Sequence, residues 1–118
     1  MTLDEIAQEV SGCAKCPLHK NRHLAVPGEG NESATILMIG EGPGSSEDKI
    51  GRPFVGEAGK FLDEMLAGIQ MKREDVYITN VVKCRPPNNR DPLEEEALVC
   101  TSNYLFKQIK LIKPKLII

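Results

Sequence analysis

Ala34-Thr-Ile-Leu-Met-Ile-Gly40 is a continuous apolar run that ends on glycine. A run without polar alternation fits a strand buried on both faces, as in a parallel sheet. A second run, Val76-Tyr-Ile-Thr-Asn-Val-Val82, is β-branched and aromatic, and Pro86 and Pro87 stop it. Between the two, Ala58, Phe61, Leu62, Met65, Leu66 and Ile69 fall at helical spacing along one face. Asp91-Pro92 can open a further helix, with Asp as N-cap and Pro at the first helical position, running to Ile112 before Pro114. Lys115-Leu-Ile-Ile118 reads as the opening of a third strand. Strands alternating with helices in this order predict an α/β fold on a central parallel sheet with right-handed crossovers.

Upstream, Leu3 to Val10 predicts a short helix, with Thr2 as N-cap and Glu5 completing a capping box. Ser11 to Asn31 reads mainly as loop, and Gly42 to Gly56, rich in Gly and Pro, as a long ordered loop. With 118 residues and no internal repeat, one small domain over 1–118 is expected. The third strand stops as it begins, so that domain is expected to be incomplete at its C-terminal end.

Hydrophobic residues make up 41% and charged residues 27%, a balance that excludes a disordered chain. No apolar run approaches the ~20 residues that span a bilayer. The N-terminus carries early acids where a secretory signal needs a basic region, so a cytoplasmic protein with no membrane partner is expected. The net charge of -2 argues against a broadly basic nucleic-acid surface. Charge is uneven, however: Lys83-Cys-Arg-Pro-Pro-Asn-Asn-Arg90 carries three cations and no acid. It reads as a solvated loop, with contact to phosphates as the alternative.

Four cysteines in a reducing compartment point to metal or redox chemistry before disulfides. Cys13-Ala-Lys-Cys16 is a C-x2-C pair able to grip one metal centre from a tight loop. Cys84 and Cys100 come from a strand end and a helix, and the fold must bring them to the pair. Four thiolates suit tetrahedral zinc or an iron–sulfur cluster. Cys84 and Cys100 could instead be ordinary core residues.

Gly40-Glu-Gly-Pro-Gly44 follows the first strand, but Pro43 and Gly44 spoil a dinucleotide fingerprint, which would run straight into a helix. A nucleotide phosphate site is therefore the weakest reading. The end of a parallel strand is still where ligands bind, and glycines there let backbone amides come close. Phe54 either anchors its loop to the core or offers a face on which a base stacks. Asn80, inside an apolar strand, needs a hydrogen-bond partner, either neighbouring backbone or the edge of a ligand.

The ordered set Gly40-Glu-Gly-Pro-Gly44, Glu47-Asp48, Gly51-Arg-Pro-Phe-Val-Gly-Glu-Ala-Gly59 and Thr79-Asn-Val-Val-Lys-Cys-Arg-Pro-Pro87 resembles the family 4 uracil-DNA glycosylases, from Cys13 to the end of the chain. The resemblance implies a three-layer α/β/α fold. It tips the metal centre from zinc to a structural [4Fe–4S] cluster on Cys13, Cys16, Cys84 and Cys100. It also implies DNA repair: hydrolysis of the N-glycosidic bond of uracil in single- or double-stranded DNA by a monomer. Glu41 and Gly42 would border the flipped base and Phe54 would stack on it. The Asn80 carbonyl would accept from N3–H while its amide donates to O4. Glu47 is expected near the base C5, where it crowds the thymine methyl.

Two departures from the wider family pattern bear on catalysis. Gly42 stands where family 1 enzymes carry a water-activating Asp, which leaves Glu41 or Glu47 to hold the water, or leaves catalysis to stabilisation of the departing base. The His-Pro-Ser motif, whose His supports the uracil O2, has no counterpart, since His19 and His23 both lie in the early loop. The motif is expected beyond Ile118, and the 118 residues alone are expected to be inactive. The competing reading is a non-catalytic four-cysteine metal-binding module that binds nucleic acid.

Overall fold

Alternation along two short strands decides the layering. In a computed structural model describing residues 1–118, β2 (Ile36–Gly40) and β3 (Tyr77–Asn80) pair in parallel, with Gly40 opposite Asn80. Successive side chains on a strand face opposite sides. Leu37 and Tyr77 join one core with Ile6, Val10, Leu18, Tyr104 and Ile112. Ile36, Met38 and Ile78 face a second core built on Leu62 and Leu66. Helices therefore cover both faces of the sheet: α1 (Leu3–Ser11) and the C-terminal helical run on one side, α3 (Glu57–Gly68) on the other. This is the expected α/β/α arrangement.

The sheet is mixed where a wholly parallel one was expected. Its order is β1-β3-β2-β4. β4 (Leu116–Ile117) adds to β2 in parallel, while β1 (Glu29–Gly30) lies antiparallel on β3. β1 falls inside the segment read as loop. Gly30 has φ +132, and a Cβ there would overlap the Val76 carbonyl, so only glycine lets this strap lie so close.

The helices depart from expectation in three places. A short helix, α2 (Ser45–Ile50), interrupts the glycine-rich loop, closed by Gly51 at φ +82. Asp48 on α2 is buried and accepts from the His23 amide at 2.8 Å, tying the early loop to this helix. On α3 only Gly59, Leu62 and Leu66 are buried, and Phe61, Met65 and Ile69 stand in the open. The stripe facing the sheet is thus half as wide as the apolar periodicity. Finally, the C-terminal helix starts at Glu94, beyond the Asp91-Pro92 start that was expected, because Glu96 accepts from the Leu93 amide at 2.8 Å and starts it there. α4 (Glu94–Cys100) and α5 (Phe106–Ile112) are joined by a π-helical turn over Thr101–Leu105. No helix is long and apolar enough to cross a membrane.

Candidate functional site

The parallel pairing of β2 and β3 ends at Gly40 and Asn80, and a cavity opens just beyond them. Gly42, Glu47, Phe54, Ala58 and Asn80 line it. Its volume is about 80 Å³, well below drug-sized ligand sites of roughly 300–1,000 Å³. That suits one planar ring. Asn80 is 2% exposed, and its backbone carbonyl accepts from Lys83 Nζ at 2.7 Å while its side-chain amide borders the cavity. Gly40 is the floor. A Cβ on it would come within 2.5 Å of both Asn80 Oδ1 and Phe54 Cζ.

Glu47 sits in this cavity as a clasp. Its Oε2 accepts from the Val55 amide at 2.9 Å and the Gly56 amide at 2.8 Å, and its Oε1 from the Gly44 amide at 3.0 Å. Burial pushes the carboxyl upward, but the three amides outweigh it and hold it below the ordinary carboxylate value. A carboxylate so engaged is a weak base. Glu41 lines the adjoining cleft with Gly42, Pro43, Pro86 and Arg90 instead of this cavity. The charge of Asp91 and a hydrogen bond with it raise the exposed Glu41 carboxyl. Of the five residues expected around the base, four come together, and Glu41 stands next door, joined to them through Gly42.

All four cysteines line a second cavity, with Leu18, Arg22, Lys83 and Tyr104. None is in a disulfide. Cys84 and Cys100 are buried, and burial pushes the Cys100 thiol up to about 11. Arg22 brackets the site: Nη1 donates to the Cys13 carbonyl at 2.6 Å and to Cys84 Sγ at 3.3 Å, and Nη2 to the Ser11 carbonyl. No three ligating side chains converge on a single ion point. Four thiols, apolar walls and one guanidinium against a sulfur fit a soft, negatively charged metal group.

The cationic stretch 83–90 is not a free patch. Lys83 is 1% exposed, and burial pushes its amine down to about 7. Its Nζ donates to Thr79 Oγ1, the Asn80 carbonyl and Gln108 Oε1. Arg90 pairs with the buried Glu96 at 2.9 Å. Arg85, half-buried, bonds to Asn89. Sequence reasoning missed the Lys83 network because a lysine beside prolines reads as solvated. It also missed Arg73, whose guanidinium donates to the carbonyls of Pro53 and Phe54, distant in sequence.

A small cavity at the paired strand ends and a separate four-cysteine cavity mark this α/β domain. The family profile described as uracil DNA glycosylase superfamily matches residues 27–118. This chain belongs to that superfamily. It is 56% identical over 117 residues to a type-4 uracil-DNA glycosylase of Archaeoglobus fulgidus, covering 99% of this chain and 58% of the relative. It is 59% identical over 117 residues to one from Saccharolobus solfataricus, covering 98% and 54%. A type-5 uracil-DNA glycosylase of Thermus thermophilus is 40% identical over 89 residues, covering 64% and 40%. The chain thus spans little more than half the length of its type-4 relatives.

Proposed function

We propose that this domain belongs to an enzyme that excises uracil from DNA, acting as a monomer on an extruded base. The convergence of Gly42, Glu47, Phe54 and Asn80 on one ring-sized cavity carries the reading. Extrusion costs a few kcal/mol of unstacking. The ring stacks on Phe54 and presents its edge to the Asn80 amide, whose carbonyl accepts from N3–H and whose nitrogen donates to O4. As the N-glycosidic bond breaks, preorganised dipoles around the base stabilise its negative charge, and water adds to the sugar to leave an abasic site. Glu47, engaged with three amides, shapes the cavity wall near C5. Glu41, free of backbone bonds, is the carboxylate that can hold the water.

The cysteine cavity supports a [4Fe–4S] cluster on Cys13, Cys16, Cys84 and Cys100. Four thiols on one cavity also suit tetrahedral zinc, and the likeness to type-4 uracil-DNA glycosylases favours the cluster. Bound there, the cluster would cross-link the early loop to the Cys84 turn and α4, a structural part with no redox step. His19 lines the cysteine cavity and no histidine lines the base cavity. The 118 residues alone are therefore expected to release little uracil.

The test is uracil release from single- and double-stranded uracil-containing DNA by the protein as its gene encodes it. Turnover that Asn80→Ala and Phe54→Ala both abolish supports the reading. Tight DNA binding without uracil release would favour the non-catalytic four-cysteine module.

A further inference from the structure

Phe54 has φ +52, in the left-handed region that side chains other than glycine seldom adopt. Two groups from distant parts of the chain hold it there. The Arg73 guanidinium takes the carbonyls of the two peptides that flank it: Nη2 donates to Pro53 O at 2.6 Å and Nη1 to Phe54 O at 2.9 Å. Glu47 takes the amides on the other side, those of Val55 and Gly56. Helix α3 closes the third side, since a Cβ at Gly59 would overlap the Phe54 carbonyl. Arg73 is itself steadied by Asp63 at 3.2 Å and Glu29 at 3.5 Å, with its side chain 17% exposed. It precedes β3, the strand that carries Asn80.

We propose that Arg73 is a positioning residue of the base cavity, which fixes the Phe54 ring by clamping the two carbonyls beneath it. This rests on Phe54 being the face against which the base stacks. The planar guanidinium fork reaches two adjacent carbonyls at once, and a lysine ammonium, a point donor on a flexible stem, does not reproduce that geometry. Without the fork, Phe54 is free to relax toward ordinary φ, and its ring leaves the register set by Gly40 and Asn80. Glu29 and Asp63 serve the site indirectly, by holding Arg73.

The test is a double-mutant cycle in the protein as its gene encodes it, with uracil release, affinity for abasic-site DNA and amide exchange at Val55 and Gly56 as readouts. Arg73→Gln and Arg73→Lys each lower kcat/KM for uracil release about 10- to 100-fold, the range of a misplacement near 1 Å. Abasic-site DNA, which offers no base to stack, binds as before, and exchange at Val55 and Gly56 speeds up. In a Phe54→Ala background, Arg73→Gln adds no further loss, because it acts through that ring. An equal loss in both backgrounds, or equal weakening of abasic-site binding, overturns the proposal. Arg73→Lys keeps the charge beside Asp63 and Glu29, so it carries the test should Arg73→Gln fail to fold. A Phe54→Ala protein with undiminished uracil release removes the stacking reading and this proposal with it. A damaged Phe54→Ala beside intact Arg73 variants removes this proposal alone.

Discussion

The Lys83 side-chain nitrogen donates to the backbone carbonyl of Asn80 at 2.7 Å, so the residue next to Cys84 in the cysteine cavity also holds the strand end that carries Asn80 to the other cavity. Gln108 on α5 joins the same nitrogen at 2.8 Å and donates to the Pro27 carbonyl at 2.8 Å. The two cavities are thus two sides of one buried polar network. Lys83→Met keeps the volume but leaves Thr79, Asn80 and Gln108 short of a donor. At about 1–3 kcal/mol for each buried group left unpaired, with partial repair through other partners, a loss of roughly 2–4 kcal/mol in urea unfolding is expected. A loss within experimental error would show that the network carries no stability.

Asn80→Asp replaces the donor aimed at uracil O4 with an acceptor. One unmatched buried polar group at about 1–3 kcal/mol translates into a fall of roughly 10- to 100-fold in uracil release. The exocyclic amine of cytosine donates where uracil O4 accepts, so the preference between the two bases moves toward cytosine. Parallel excision assays on uracil- and cytosine-containing strands measure both. Unchanged rates and selectivity would remove Asn80 from the reading role.

Gly40→Ala tests the floor of the cavity separately from its walls. The new methyl must displace the Phe54 ring or the Asn80 oxygen, each at 2.5 Å from its position. Uracil release falls at least about 100-fold, as a misplacement near 1 Å produces, while far-UV circular dichroism and iron content stay as in the parent protein. A variant with near-normal turnover would mean the ring and amide do not meet the base together.

Much of this was legible in the sequence, and the omissions share a cause. Local signals survived folding intact: the Thr2–Glu5 capping box forms, with both bonds at 3.2 Å, and both apolar runs become the central strands. The C-x2-C pair meets Cys84 and Cys100 in one cavity. The hidden features depend on contacts between distant segments. Helix α2 escaped notice because glycines flank it, although Gly51 at φ +82 is its stop signal. Phe61, Met65 and Ile69 carry the helical period of α3 yet stand exposed, since period alone does not say which half of an apolar face meets the sheet. Glu47 read as a carboxylate to hold the water or to crowd the base C5, and no local pattern announces that the amides of Val55 and Gly56 will turn toward it.

That clasp gives a pH dependence with a defined sign. The Glu47 carboxyl lies below its ordinary value of 4.5 in the folded protein. A depressed acid contributes stability that is fully present above the unfolded-state value and is lost as pH falls through the folded one. Amide exchange at Gly44, Val55 and Gly56, corrected for intrinsic rates, therefore accelerates once the pH drops below about 4.5 and is level from there to neutrality. In Glu47→Gln the same amides exchange faster at neutral pH and show no such acid step. An acid step of the same size in both proteins would assign it to another carboxyl.

The cysteine cavity makes its prediction through colour and stability. Loaded anaerobically with iron and sulfide, the protein should take about four irons and absorb broadly near ~400 nm, as expected for all-cysteine ligation. Chelation then lowers the melting temperature, because the cluster joins the Cys13–Cys16 loop to the Cys84 turn and to α4. Cys84→Ala and Cys100→Ala lower the iron content. Arg22→Leu removes a donor to Cys84 Sγ and the bracket on the carbonyls of Ser11 and Cys13, so iron is lost to chelator several-fold faster while the folded circular dichroism signal persists. Uracil release is the same with the cluster oxidised or reduced. A colourless protein holding one zinc would replace the cluster with a single ion and require the four thiols to draw together.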